Sequence, residues 1–182
     1  MGATKLHIGC GPRYFGSDWV HIDGGNYEFL DFFDIKNLSQ FDSCSIDLIY
    51  ASHVIEYFDR SEIVSIMKEW YRVLKINGVI RLAVPDFSTI CSLYCGGGYG
   101  LDSFLGPLYG RMNMGEKIIY HKTVYDFNSL NTILLNCGFK NVHRYNWRET
   151  EHSNIDDCSQ AYLPHMDKEN GVLISLNVEA NK

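Results

Sequence analysis

The stretch from Ile46 to Val84 constrains the fold more tightly than any other part of the chain. Ile46 to Ala51 is an apolar run that stops at Ser52-His53. A helix is expected from about Ser61 to Lys75, because Ile63, Ile66, Met67, Trp70, Val73 and Leu74 recur at helical spacing. Asp59 and Glu62 stand at its N-cap and N3 positions, and Asn77-Gly78 offers a left-handed stop. Val79 to Val84 then reads as a strand closed by Pro85-Asp86. Strand, long helix and strand within about 40 residues form a βαβ unit, which requires parallel strands and a right-handed crossover. The expected fold class is α/β.

Three further short runs precede this unit. Lys5 to Ile8 ends at Gly9-Cys10-Gly11-Pro12, Trp19 to Ile22 ends at Asp23-Gly24-Gly25, and Phe29 to Phe33 ends at Asp34. Each reads as a strand closing on a polar or glycine position. After Phe87 the periodicity weakens: Gly96 to Gly100 reads as a loop, and Leu101 to Met112 as a short helix containing Pro107. Residues 87–125 are therefore expected to be a substrate-covering insertion within one domain spanning 1–182. Asp126 can cap a helix carrying Leu130, Ile133, Leu134 and Leu135, which stops at Gly138. Phe139 to Trp147 follows, Arg148 to Asn170 is polar and loop-like, and Val172 to Val178 is the expected last strand.

Composition excludes several classes of function. The 182 residues carry 16 Lys plus Arg against 22 Asp plus Glu, a net charge of −6, with no basic cluster. A nucleic-acid surface must displace counterions with cations, so this balance argues against one. No apolar run approaches the roughly 18 residues of a membrane span, and no secretory pattern is visible, so a cytoplasmic location is expected. Of the six cysteines only Cys91 and Cys95 are close, and no CxxC or HxxxH pair is present; reduced thiols and no metal are expected.

Gly9-Cys10-Gly11 follows a strand directly, where the missing side chains let a ligand approach the backbone. The third glycine of a dinucleotide fingerprint would fall at Tyr14, so that fingerprint is incomplete. Asp23 closes the next strand, where a carboxylate can accept two hydrogen bonds from a ribose diol; its ordinary alternative is to cap the Gly24-Gly25 turn. Only about seven residues, Pro12 to Asp18, separate the glycine turn from the second strand, too few for the usual crossover helix. A pyrophosphate needs that helix N-terminus, and a phosphate-free ligand does not.

These segments resemble the class I S-adenosyl-L-methionine (SAM)-dependent methyltransferases, in particular small ones with a truncated first crossover. The resemblance lies in Leu6-His7-Ile8-Gly9-Cys10-Gly11, Trp19-Val20-His21-Ile22-Asp23, Ile46 to Glu56, and Arg72 to Phe87, and thus covers residues 5–90 well. Beyond them it continues only in Cys137-Gly138-Phe139 and Ser175 to Ala180. It implies a Rossmann-like, seven-stranded, mostly parallel, doubly wound sheet with the last strand antiparallel, and SAM across the carboxyl ends of the first strands. It further implies that the backbone of Gly9, Cys10 and Gly11 holds the methionine moiety and Asp23 the ribose. Asp34 and Ile35 would flank the adenine, and Ala51, Ser52 and His53 would pass beneath the sulfonium. The chain departs from the family at His7, where an acidic residue is common, and at Tyr57, where many relatives have histidine.

Methyl transfer from a sulfonium is an in-line displacement that needs a base only if the acceptor must lose a proton. His53, Asp86 and His121 are the candidate catalytic residues. Each has an ordinary alternative: packing or capping for His53, capping the next turn for Asp86, an exposed loop position for His121. Tyr94, Tyr99, Tyr109, Tyr120 and Tyr125 are expected to pack together, with an apolar lid as the alternative. The resemblance extends to small methyltransferases encoded among surface-polysaccharide genes, which implies a small-molecule or sugar acceptor, a hydroxyl oxygen as nucleophile and S-adenosylhomocysteine (SAH) as product. A homodimer is the candidate assembly. A SAM/SAH-binding module without transfer chemistry, an NAD-dependent oxidoreductase and an aminopropyl transferase are the competing readings. Tyr14 and the missing crossover helix weigh against the second, and the lack of a dense acidic pocket against the third.

Overall fold

The computed structural model describes residues 4–115 and 117–182. Four parallel strands form its centre: β1 (Lys5–Ile8), β2 (Trp19–Ile22), β3 (Ile46–Ser52) and β4 (Leu74–Pro85). Helix α1 (Ile63–Val73) joins β3 to β4. Next come α2 (Phe87–Cys95), α3 (Asp102–Tyr109) and a small hairpin of β5 (Met112–Asn113) with β6 (Ile118–Ile119). The chain continues through α4 (Phe127–Asn136), β7 (Lys140–Arg144), a second small hairpin of β8 (Tyr162–Leu163) with β9 (Val172–Leu173), and β10 (Ser175–Asn181). The main sheet runs β2-β1-β3-β4-β10-β7, with β10 antiparallel to both neighbours.

The α/β class, the parallel core and the antiparallel closing strand are as the sequence predicts. The sheet has six strands, and where a seventh would lie beside β2, Phe32 makes a single parallel bridge to Ile22. The cause is local. A turn closes from Tyr27 to Leu30, with the Leu30 N–H donating to the Tyr27 carbonyl at 3.3 Å. The Asp31 carboxylate then accepts from the His21 N–H at 2.8 Å, so a side chain meets an edge donor that a longer strand would have taken.

Alternation along the strands sorts the two sheet faces. Leu6, Ile8, Ile49, Ile80, Leu82, Leu176 and Val178 meet Ile66, Met67, Trp70 and Val73 of α1 and Leu130 and Leu134 of α4 in one aliphatic core. Fully burying each such side chain is worth about 1.5–3 kcal/mol. The Trp70 indole N–H also donates to the Ile35 carbonyl at 3.1 Å, which ties α1 to the coil after β2. α1 ends earlier than its pattern suggests: Leu74 is already extended and pairs with Ile46, and Asn77, at φ +64°, lies in the irregular stretch before Val79 pairs with Leu48.

The opposite face is aromatic and polar, and coil covers it. No helix lies between β1 and β2 or between β2 and β3, in keeping with the short spacing from Pro12 to Asp18. Phe15 stacks between His7 (3.9 Å between centroids) and His152 (4.7 Å). The segment 145–171 closes over the rest: Asp157 accepts from the Tyr50 hydroxyl, and the Asn177 amide donates to the Ser159 carbonyl at 2.9 Å. His152, Asp157, Ser159 and Gln160 are consequently buried, although the sequence from Arg148 to Asn170 reads as polar and loop-like. All six cysteines are free, and among the described residues no cluster of metal-ligating side chains and no helix long and apolar enough to cross a membrane is found.

Candidate active site

β1, β2, β3 and β4 all end at the same edge of the sheet, so the loops carrying Gly9, Asp23, His53 and Asp86 converge there, as open α/β sheets require. Between these ends, α3 and the stretch from Cys158 to His165 lies a cavity of about 810 Å³. That is within the roughly 300–1,000 Å³ typical of small-molecule sites.

Gly9 (φ +67°) and Gly11 (φ +55°) build one wall with left-handed backbone. A Cβ on Gly9 would stand 2.2 Å from Cγ2 of Val54, so only glycine lets the turn settle on the end of the core. At Gly11 the space is open, the nearest atom being an Arg13 guanidinium nitrogen at 3.6 Å. Asp23 braces the turn: one carboxylate oxygen accepts from the Gly11 N–H at 2.8 Å, the other from the Gly25 N–H at 2.7 Å. A carboxylate has about four acceptor sites, so each oxygen keeps one for a diol.

The cofactor-site expectations divide. Gly9, Gly11, Asp23, Ser52 and His53 line the cavity. Cys10 does not: it is fully buried, and burial, with Asp23 nearby, pushes its thiol up to about 12. Ala51 points into the aliphatic core. Asp34 caps its own turn, accepting from the Lys36 and Asn37 N–H groups at 2.9 and 3.2 Å, while Ile35 packs on the core. Neither Asp34 nor Ile35 is part of the cavity wall, because the turn at Tyr27 to Leu30 shortens the strand that would carry them there.

Asp86 is a correction among the candidate bases. It is buried, away from the cavity wall, and caps α2 by accepting from Thr89 Oγ1 at 3.1 Å and from the Thr89 N–H at 3.4 Å. Arg144 pairs with it at 3.2 Å. Both histidines, in contrast, line the cavity. His53 has φ +53°, an uncommon backbone for a non-glycine residue, and its Nε2 lies 3.3 Å from Ser175 Oγ. His121 is no exposed loop residue: its side chain is 4% exposed and its Nδ1 lies 3.0 Å from the Pro107 carbonyl. Burial lowers both imidazoles, that of His53 to about 3 with His121 contributing. Of the five tyrosines, Tyr99 lines the cavity and Tyr125 is buried, whereas Tyr94, Tyr109 and Tyr120 are exposed and form no common cluster.

Sequence reasoning missed Arg13 and Tyr27, and it singled out neither Arg111 within the expected 87–125 insertion nor Ala161 to His165 within the polar stretch Arg148 to Asn170; all of them line the cavity. Arg13 could have been found, since it follows Gly11-Pro12 directly. The others reach the site through tertiary contacts with no local signature.

Acid sensitivity follows from the buried imidazoles. His7, His21, His53, His121 and His152 are all lowered mainly by burial, His152 to about 4. The unfolded chain binds protons at these groups below pH 6.5 and the folded chain does not, so stability present above 6.5 is lost as pH falls. By pH 5, His53 and His152 each remove about 2 kcal/mol. Glu56, raised by burial, works in the opposite sense but is a single group. Urea midpoints should drop steeply between pH 7 and pH 5; a midpoint that holds or rises on acidification contradicts neutral buried histidines.

A family described as "Methyltransferase domain" matches residues 23–82, from Asp23 to Leu82 within β4. Among solved structures, the chain is similar to a SAM-dependent methyltransferase from Archaeoglobus fulgidus, with 16% identity, TM-score 0.58, and 99% of this chain and 86% of that one covered. It is also similar to an S-adenosylmethionine-dependent methyltransferase from Mesorhizobium loti, with 14% identity, TM-score 0.55 and coverage of 100% and 91%. A third is the Burkholderia thailandensis 1,6-didemethyltoxoflavin-N1-methyltransferase bound to 1,6-didemethyltoxoflavin and S-adenosylhomocysteine, with 12% identity, TM-score 0.55 and coverage of 99% and 71%. No curated protein sequence matches significantly. The fold is that of the class I methyltransferases.

Proposed function

We propose that this chain transfers a methyl group from SAM to a hydroxyl of a small-molecule or sugar acceptor. The observation that carries the reading is the convergence of the Gly9 and Gly11 turn, the Asp23 carboxylate and Ser52-His53 on one cavity. The open space over Gly11 and the spare acceptor sites of Asp23 suit an aminoacyl chain followed by a ribose, and nothing in the turn provides the helix N-terminus a pyrophosphate requires. Bound there, SAM supplies an electrophilic methyl on a sulfonium. The chain's own residues hold the ribose diol at Asp23, orient the acceptor against His53 and His121, and exclude water with the insertion 87–125, whose Tyr99, Pro107 and Gly110 close the cavity.

The test is calorimetric titration with SAM and SAH, then an SAH-release assay against fractionated small-molecule and glycan extracts. SAH should bind and raise the melting temperature, since a ligand at a hundred times its Kd adds about 2.7 kcal/mol. Absence of both heat and thermal shift overturns the reading. Tight SAH binding with no SAH formed from SAM on any fraction favours a binding module instead.

A further inference from the structure

We infer that Glu56 is the buried partner of the cavity histidines, so that His53, Glu56 and His121 act as one proton-accepting unit. The inference rests on the methyltransferase reading. Glu56 lies in the short turn Ile55–Tyr57 after β3 and is 0% exposed. Neither of its carboxyl oxygens has a hydrogen-bond partner among the described residues. A carboxyl kept only for structure would be hydrogen-bonded, because an unpartnered one is costly to bury. Its Oε1 lies 3.6 Å from His53 Nδ1 and 3.7 Å from His121 Nε2, so two imidazoles that line the cavity bracket one carboxyl that does not.

The surrounding backbone holds the three groups together. The Glu56 carbonyl accepts from the N–H groups of Lys122 at 2.8 Å and Thr123 at 3.3 Å, which fastens the His121 segment to the turn. Gly110 stands against the imidazole: a Cβ there would lie 1.9 Å from His121 Nε2. The Tyr57 hydroxyl donates to the Gly110 carbonyl at 2.6 Å and holds that approach. His121 Nδ1–H is spent on Pro107, so the Nε2 that lies 3.7 Å from Glu56 Oε1 carries no proton and can accept one.

When Glu56 is ionised, its charge 3.6 Å from Nδ1 favours the His53 tautomer with the proton there. Nε2, which contacts Ser175 Oγ at 3.3 Å, then carries the lone pair that acts as base. The acceptor oxygen forms its bond to the methyl carbon as the carbon–sulfur bond breaks, and that electron pair remains on sulfur. The hydroxyl proton passes to His53 Nε2, and the resulting imidazolium rests against the Glu56 carboxylate. Glu56 is thus a positioning residue. The titratable groups facing it are His53, His121, Tyr57, Tyr125 and Cys158, and burial raises it to about 8.

The proposal is tested without methyl donor, by NMR of the full chain with ring-labelled histidine between pH 6 and 10, His53 and His121 being assigned by single replacement. Both signals should move together with a midpoint near 8, and Glu56→Gln should abolish that shared step while leaving SAH affinity within about threefold. If Glu56→Gln does not fold, the wild-type titration decides alone: a shared step supports the unit, and flat signals from pH 7 to 9 overturn it. A step that survives in Glu56→Gln also overturns it. Failure of the wild type to bind SAH, read separately by calorimetry, removes the methyltransferase reading and the proposal with it.

Discussion

Replacing Gly9 with alanine is expected to cost several kcal/mol of stability and to reduce SAH affinity at least about a hundredfold. Two terms combine. Left-handed backbone at a residue with a Cβ costs roughly 1–2 kcal/mol. The added methyl would also sit 2.2 Å from Cγ2 of Val54, which is buried in the core, and overpacking of this kind costs typically about 1–3 kcal/mol. The turn must move, and with it the wall that receives the aminoacyl chain. Gly16 is the control: it also has a positive φ, at +103°, but has nothing within 4 Å. Gly16→Ala should show the backbone penalty without loss of binding. Urea denaturation and calorimetry on the two variants decide the matter; equal behaviour would mean that Gly9 is not pressed against the core.

Removal of the Asp23 carboxylate should be the largest single loss of cofactor affinity. Hydrogen bonds to a charged group are worth about 1.5–3 kcal/mol each, so losing two to a diol predicts a fall on the order of 10²- to 10³-fold or more in Asp23→Ala. Part of that loss is indirect, because the same carboxylate braces the Gly11 and Gly25 N–H groups. A deoxyribose analogue of SAH separates the two parts. The wild type should bind it more weakly than SAH, whereas Asp23→Ala should barely distinguish them. If the wild type binds both equally, Asp23 only caps its turn.

The legible parts of this fold are those whose signals are local. α1 and α4 declare themselves by apolar periodicity. The Asp59 and Glu62 cap expected for α1 is displaced, with Glu62 at the N-cap and no side-chain bond there, whereas Asp126 caps α4 as the sequence suggests, it and Ser129 satisfying each other's backbone N–H groups. The ends of β1, β2 and β3 are equally clear, since each strand stops on glycine or a polar residue. What escapes is decided at a distance. α2 escapes because Phe87 to Cys95 is only nine residues long and, of its apolar side chains, only Ile90 is fully buried, Phe87 and Tyr94 staying exposed. Asp86 and His53 look alike in sequence, each a polar residue at a strand end, yet Thr89 and Arg144 draw the first away while the second faces the cavity. Glu56 closes the Ile46 to Glu56 motif with no role attached to it in sequence, and only His121, arriving beside it from a segment far along the chain, gives it one.

The segment 145–171 does two jobs at once. Its buried side chains complete the polar face of the sheet, through Asp157 on Tyr50 and Ser159 on Asn177, and a few residues later Tyr162, Leu163 and His165 shape the cavity. In a fold with crossover helices on that face, the loop that selects an acceptor can diversify while the scaffold stays fixed. Here selectivity and scaffold share one continuous stretch of backbone, so exchanging this segment between relatives would transplant a specificity together with part of a foundation. Chimeras cut inside it should fail as folds before they are informative as catalysts.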